Sequence, residues 1–123
     1  MLTNADITLY NRYESEEGMK WSRWVINGVF WHGCTGVGVQ NSGLASANII
    51  KIRIPHDARV EGAVYAPSAQ CLFDWQWTLQ TGDKLALGVL TDTTPPQDAF
   101  TIMQWADNTM GRKGSSHFRI SAG

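Results

Sequence analysis

Asn48-Ile49-Ile50-Lys51-Ile52-Arg53-Ile54 alternates apolar and charged side chains with a period of two. Ile50, Ile52 and Ile54 point one way and Lys51 and Arg53 the other, as in a strand with one face in a core and one in water. A second run, Phe73–Gln80, alternates still more cleanly: Phe73, Trp75, Trp77 and Leu79 share a face opposite Asp74, Gln76, Thr78 and Gln80. This spacing predicts a strand that buries its aromatic side.

Outward from these two, Ile7–Asn11, Trp21–Ile26, Val60–Tyr65, Lys84–Leu90, Phe100–Trp105 and His117–Ile120 read as further short strands. No window of helical length holds an apolar stripe at i, i+3, i+4 and i+7. One short helix has room near the N-terminus or around Ala66–Gln70.

Turn chemistry separates the runs. Asn27-Gly28 is a hairpin dipeptide, Thr81-Gly82-Asp83 interrupts the chain between Leu79 and Leu85, Pro95-Pro96 closes a polar stretch, and Gly111-Arg112-Lys113-Gly114 precedes the last strand. Glu14–Gly18, acidic and polar, reads as a hairpin tip. Gly33–Asn48 is longer and rich in Gly, Ser, Ala and Asn, and structureless loops of that length are often functional. The expected fold is mostly β: one small barrel or sandwich of about seven or eight short strands with little helix, spanning 1–123 as a single domain.

Composition bounds the function. With 43% apolar and 17% charged residues, the chain has the ordinary globular mix and needs no metal or disulfide to fold. Ten basic against eleven acidic residues, a formal charge of −1, argue against tight nonspecific binding to nucleic acid or an anionic membrane. No stretch nears the ~18 apolar residues of a membrane span, and the N-terminus lacks the segments of a secretory signal, so assembly in a cytoplasm is expected. Cys34 and Cys71 read as reduced, packed thiols. Six tryptophans in so short a chain are expected mostly to fill the core.

Little in the sequence is arranged for catalysis. His32, His56 and His117 fall in three separate segments without metal-type spacing. His32 and Cys34 share a face if extended, but neither a helix N-terminus nor an orienting carboxylate accompanies them. Pro55-His56-Asp57 reads as a turn. The glycine-rich loop lacks the Gly-Lys-Ser/Thr ending of a phosphate cradle. No catalytic, metal or cofactor residue is therefore assigned. Arg112, Lys113 and Arg119, with His117, form the one local excess of positive charge, a candidate contact for DNA phosphates or an acidic partner.

The order of motifs carries a resemblance. Ile7-Thr8-Leu9-Tyr10-Asn11-Arg12-Tyr13 leads to Trp21–Ile26 and Gly28-Val29-Phe30-Trp31, then a Gly-rich loop and Ile49–Pro55. Leu79-Gln80-Thr81-Gly82-Asp83-Lys84-Leu85, Phe100-Thr101-Ile102, Asp107-Asn108, Gly111-Arg112 and His117-Phe118-Arg119-Ile120 follow. The chain resembles the head–tail joining (head-closure, or stopper) proteins of tailed phages and prophages. That resemblance implies a non-catalytic virion protein, assembled in the bacterial host cytoplasm. It would form a homo-oligomeric ring at the capsid vertex, against portal or adaptor and tail proteins, with at most transient contact with packaged DNA. Gly33, Gly36, Gly38, Asn41 and Gly43 then become a candidate assembly or channel loop. Two other readings remain: a carbohydrate-binding β-sandwich, suggested by the tryptophans, and a small enzyme using Cys34 and His32.

Overall fold

The computed structural model describes residues 3–34, 49–60, 62–71, 75–108 and 116–123. Among these lie nine strands: β1 (Ala5–Ser15), β2 (Gly18–Cys34), β3 (Ile49–Pro55), β4 (Arg59–Val60), β5 (Val64–Tyr65), β6 (Gln76–Trp77), β7 (Lys84–Leu87), β8 (Phe100–Asn108) and β9 (His117–Ala122). A single 3-10 turn, Ser68–Gln70, is the only helical element among the described residues. It falls where the sequence left room for one.

Six strands close on themselves. The order β1-β7-β8-β9-β3-β2 returns to β1 through the β1–β2 pairing, every neighbour antiparallel. Closure joins the two ends of the sheet and so shortens the edge along which a further strand could add. The short β4 extends the ladder beside β2, and β5 and β6 form a separate parallel pair.

The barrel interior is the core. Ile7 and Leu9 of β1, Ile26 and Val29 of β2, Ile50, Ile52 and Ile54 of β3, Leu85 of β7, Ile102 of β8, and Phe118, Ile120 and Ala122 of β9 are all buried. In register, Ile52 stands between Trp31 and Ile120, and Ile120 between Ile52 and Trp105. Branched side chains thus meet rings across adjacent strands, the pairing that stabilises a pleated surface. Each buried isoleucine contributes about 1.5–3 kcal/mol from area removed from water.

The longest strand departs from its expected shape for a local reason. Asn27-Gly28 is not a hairpin turn, because β2 runs through it. The register with β1 moves from Ala5–Val29 to Asp6–Asn27, so Gly28 is one extra residue, a bulge. Its φ of +81° suits glycine, and its N–H donates to Asp6 Oδ1 at 3.0 Å. Past this bulge β2 leaves β1 and pairs with β3. Gly28 is a barrel corner. The true hairpin lies earlier, at Ser15-Glu16-Glu17-Gly18, as the polar tip suggests. There the Ser15 hydroxyl donates to Gly18 O and accepts from Glu17 N–H.

Two predicted strands are shorter than their alternation implies. The chain leaves β7 at Leu87, turns at Gly88 (φ +90°), and crosses the outside of β1. There Thr8 Oγ1 donates to Gly88 O (2.8 Å) and accepts from Leu90 N–H (2.9 Å), while Tyr10 Oη donates to Asp92 O (2.9 Å). This covering explains why Thr8 and Tyr10 are fully buried on the face opposite Ile7 and Leu9. Of the run at 73–80, only Gln76–Trp77 is strand, and 72–74 lie outside the described residues. The run at 60–65 divides into β4 and β5 around Gly62 (φ +74°).

The tryptophans also depart from expectation. Trp77 is fully inside, whereas Trp24, Trp31 and Trp105 pack against the core half-buried, Trp21 is half-buried, and Trp75 is 49% exposed. An indole has too large an outline for a six-strand interior already filled by isoleucines, so most rings sit at its margins.

Candidate interaction surface

β3 directs its isoleucines inward, so its alternate residues Lys51 and Arg53 must face out, and both are exposed. Across the ladder Arg53 is the register partner of Arg119 on β9, and Arg119 is in turn opposite Ala106 on β8. One step along, His32, Lys51, Ser121 and Gln104 form a second row. The two rows floor a shallow groove of about 290 Å³ on the outer sheet face. The Arg53 guanidinium lies 6.0 Å from the Phe30 ring centroid, the outer limit of a cation–π contact.

Like charges directly opposite on neighbouring strands repel. Among the described residues no carboxylate pairs with Lys51, Arg53 or Arg119: the ion pairs are Arg12–Glu14, Lys20–Glu17 and His56–Asp107. In a chain of net charge −1, three cations therefore share one outward face without a counter-charge from any described residue. Sequence reasoning found Arg119 but grouped it with Arg112, Lys113 and His117. Arg112 and Lys113 lie outside the described residues, and His117 is buried at the β3–β9 end. Arg119's neighbours come instead from β3, a juxtaposition that only the register reveals.

The acidic residues concentrate elsewhere. From Tyr13 to Lys20, β1 and β2 pair only with each other among the described residues, because β7 reaches only to Tyr10 and β3 and β4 join β2 beyond residue 25. This two-stranded arm carries Glu14, Glu16 and Glu17, all exposed, and Met19, 47% exposed.

Where the arm joins the barrel, polar groups are tied together. Asp83 is buried and accepts from Asn11 Nδ2 (2.9 Å), Gln80 Nε2 (2.9 Å) and Arg12 N–H (3.2 Å). Burial pushes its carboxyl above the ordinary value, and these hydrogen bonds pull it partly back. Cys71 lies nearby as a free thiol, held up by burial and by the Asp83 charge, and its Sγ donates to Gln76 O. A raised thiol pKa means little thiolate at neutral pH.

The histidines do not converge. His32 is exposed on β2, and the side chain of Cys34 lies outside the described residues. His56 sits in the expected turn, closed by Ala58 N–H to Pro55 O. Its ring meets Asp107 Oδ1 at 2.6 Å and packs edge-on against Phe118 (4.5 Å). Tyr65, Trp77 and Phe118 continue that aromatic cluster. Among the described residues no three His, Cys, Asp or Glu side chains group as metal ligands, and no helix is long and apolar enough to cross a membrane. Of the candidate loop, Gly33 is a strand residue of β2 opposite Ile50, while Gly36, Gly38, Asn41 and Gly43 lie outside the described residues.

A family model covering residues 2–123 matches almost the whole chain. The chain belongs to DUF6751, a family of unknown function. No curated protein and no solved structure matches it. In this DUF6751 chain the features left for function are thus physical ones: a basic groove, an acidic arm, and exposed apolar pairs. Those pairs are Val64 with Trp75, whose main chains are bonded (3.2 Å), Ile49 with Met103, which line one hollow, and Leu87 with Val89 beyond β7.

Proposed function

We propose that the chain is a non-catalytic structural subunit of a tailed-phage particle, a head–tail connector component that packs with copies of itself into a ring around the DNA channel. The observation that carries this reading is the pairing of a closed barrel with large apolar side chains left outside it. Val64 (60%), Trp75 (49%), Leu87 (52%) and Val89 (58%) are exposed although the same chain fills its interior with aliphatic residues. Apolar side chains grouped outside a closed core mark surfaces that meet other proteins. Because closure pairs most main-chain edges of the barrel proper, neighbours there are held mainly through side chains, which suits head-to-tail packing of identical barrels.

The polar clusters support the same reading. Asn11, Asp83 and Gln80 are spent on bracing β1 against residues 78–83. The His56–Asp107 pair backs onto the Phe118 ring. The resemblance in motif order supplies the phage context.

Negative-stain electron microscopy of the purified chain, alone and with the portal and tail proteins encoded beside it, tests the proposal. Annular particles with a central hole are expected, together with terminase, portal and capsid genes in the neighbourhood. A chain monomeric at every concentration and with every such partner would sink it.

A further inference from the structure

We infer that the acidic β1–β2 arm of one subunit docks in the basic groove of the next, so that Glu14, Glu16 and Glu17 face Lys51, Arg53 and Arg119 of a second copy. The inference deepens the ring reading and rests on it, since it names the surfaces through which copies meet.

Three observations converge on this occupant. The groove concentrates three cations on the ladder β3–β9, with Arg53 and Arg119 directly opposed and no carboxylate beside them among the described residues. A barrel tolerates such a pair at a cost in repulsion, and an incoming anion removes that cost. Second, past the last β7 pairing at Tyr10 the arm continues as a two-stranded ribbon for about five residues of β1, roughly 17 Å at strand rise. Two-stranded ribbons are marginal alone in water, yet this one keeps an unbroken register from Asp6–Asn27 to Ser15–Gly18. A ribbon of that kind gains stability when a neighbour covers it.

Third, the charges match in sign and number. The tip carries three carboxylates, of which Glu16 has no ion-pair partner among the described residues, while Glu14 meets Arg12 only at 4.0 Å. Glu17 pairs with Lys20 at 3.0 Å, but both are exposed, and such pairs are exchanged at little cost. Exposed Met19 beside the tip, and Ile49 and Met103 beside the groove, add apolar contact at the edge of the charged one. Because arm and groove are different surfaces, the contact is head-to-tail, the type that closes into rings. A phosphate backbone would also suit three cations, but nothing in it accounts for the projecting acidic arm.

Sedimentation of the full chain at low and high salt, with charge-reversed variants, tests the inference. Arg53→Glu with Arg119→Glu, and separately Glu16→Lys with Glu17→Lys, should each weaken self-association by about tenfold or more. The quadruple variant, with both sides reversed, should recover it. If a reversed variant does not fold, as judged by circular dichroism, Arg53→Gln with Arg119→Gln replaces it. Zero-length carbodiimide coupling of isotope-labelled and unlabelled chains should yield mixed peptides joining Glu16 or Glu17 to Lys51. Rings that persist unchanged in both reversed variants overturn the arm-in-groove contact and leave the ring reading standing. Absence of any self-association overturns the arm-in-groove contact, and its absence with the portal and tail proteins as well overturns both. Loss of binding to a duplex oligonucleotide in Arg53→Glu with Arg119→Glu, with self-association intact, overturns the contact and assigns the groove to phosphates.

Discussion

Asn11 stands in for a strand neighbour of Thr78. Its carboxamide donates to the Thr78 carbonyl at 2.8 Å and accepts from the Thr78 N–H at 3.0 Å, both bonds buried. One side chain thus satisfies a main-chain segment that has no ladder of its own at that point, and its Nδ2 also reaches Asp83. Asn11→Ala leaves a buried N–H, C=O and carboxylate short of partners, and should cost about 3 kcal/mol of stability by urea unfolding. Asn11→Asp keeps the shape but sets two carboxylates together and an acceptor against the Thr78 carbonyl. It should be worse at neutral pH and recover on acidification. Equal losses at all pH values would refute this role.

Asp83 makes a related prediction about wild-type stability. Burial raises its carboxyl in the folded state, so the native protein holds this proton more tightly than the unfolded chain. By linkage, its contribution to stability falls as pH rises through the interval between the ordinary carboxylate value of 3.8 and the raised one, and is flat above. Asp83→Asn removes that titration while keeping an acceptor for Asn11 and Gln80. The difference in unfolding free energy, wild type minus variant, should therefore shrink as pH rises through the interval. A difference that grows there would contradict the assigned direction.

These two residues also mark what was legible in advance. The period-two isoleucines of β3 announced a strand with one face in a core, and the barrel follows from several such runs with turns between. The run at 73–80 misled because Thr78, outward by alternation, is drawn inside by Asn11, a residue 67 positions away. The groove was illegible for the same reason. Arg53 and Arg119 are neighbours only through the β3–β9 register, and a one-residue slip would have turned either inward. Arg119 alone looked like part of a basic turn with residues adjacent in the chain.

Gly28 shows how one dipeptide serves two structures. Asn-Gly favours positive φ, which a hairpin turn and a bulge both need, and neighbouring turn chemistry does not distinguish them. A Cβ at Gly28 would meet only Thr3 side-chain atoms at 3.8–3.9 Å, so space is not the obstacle. The φ of +81° is. Gly28→Ala should destabilise by about 1–2 kcal/mol through backbone strain alone. Gly28→Asn, better suited to that region, should lose less. Chemical denaturation of both variants checks the order, and an Ala variant as stable as wild type would argue against the bulge.

Trp75 and Trp77, two residues apart, should behave as opposites. Trp77 is 4% exposed and meets Tyr65 and Phe118 edge-on at 5.0 and 5.7 Å between ring centroids. Trp77→Ala therefore opens a cavity and should cost about 3–5 kcal/mol. Trp75 stands 49% exposed beside Val64, so Trp75→Ala should change stability by less than about 0.5 kcal/mol. Trp75→Phe should remove most of the iodide-quenchable tryptophan fluorescence of the monomer, because the other five rings are at least half-buried. A sugar-stacking surface would need several exposed, coplanar rings and would retain strong quenching in that variant. If Trp75 lies in a subunit contact, quenching of the wild-type protein should instead fall as concentration drives assembly. A quenchable fraction indifferent to both substitution and concentration would place the accessible indole elsewhere.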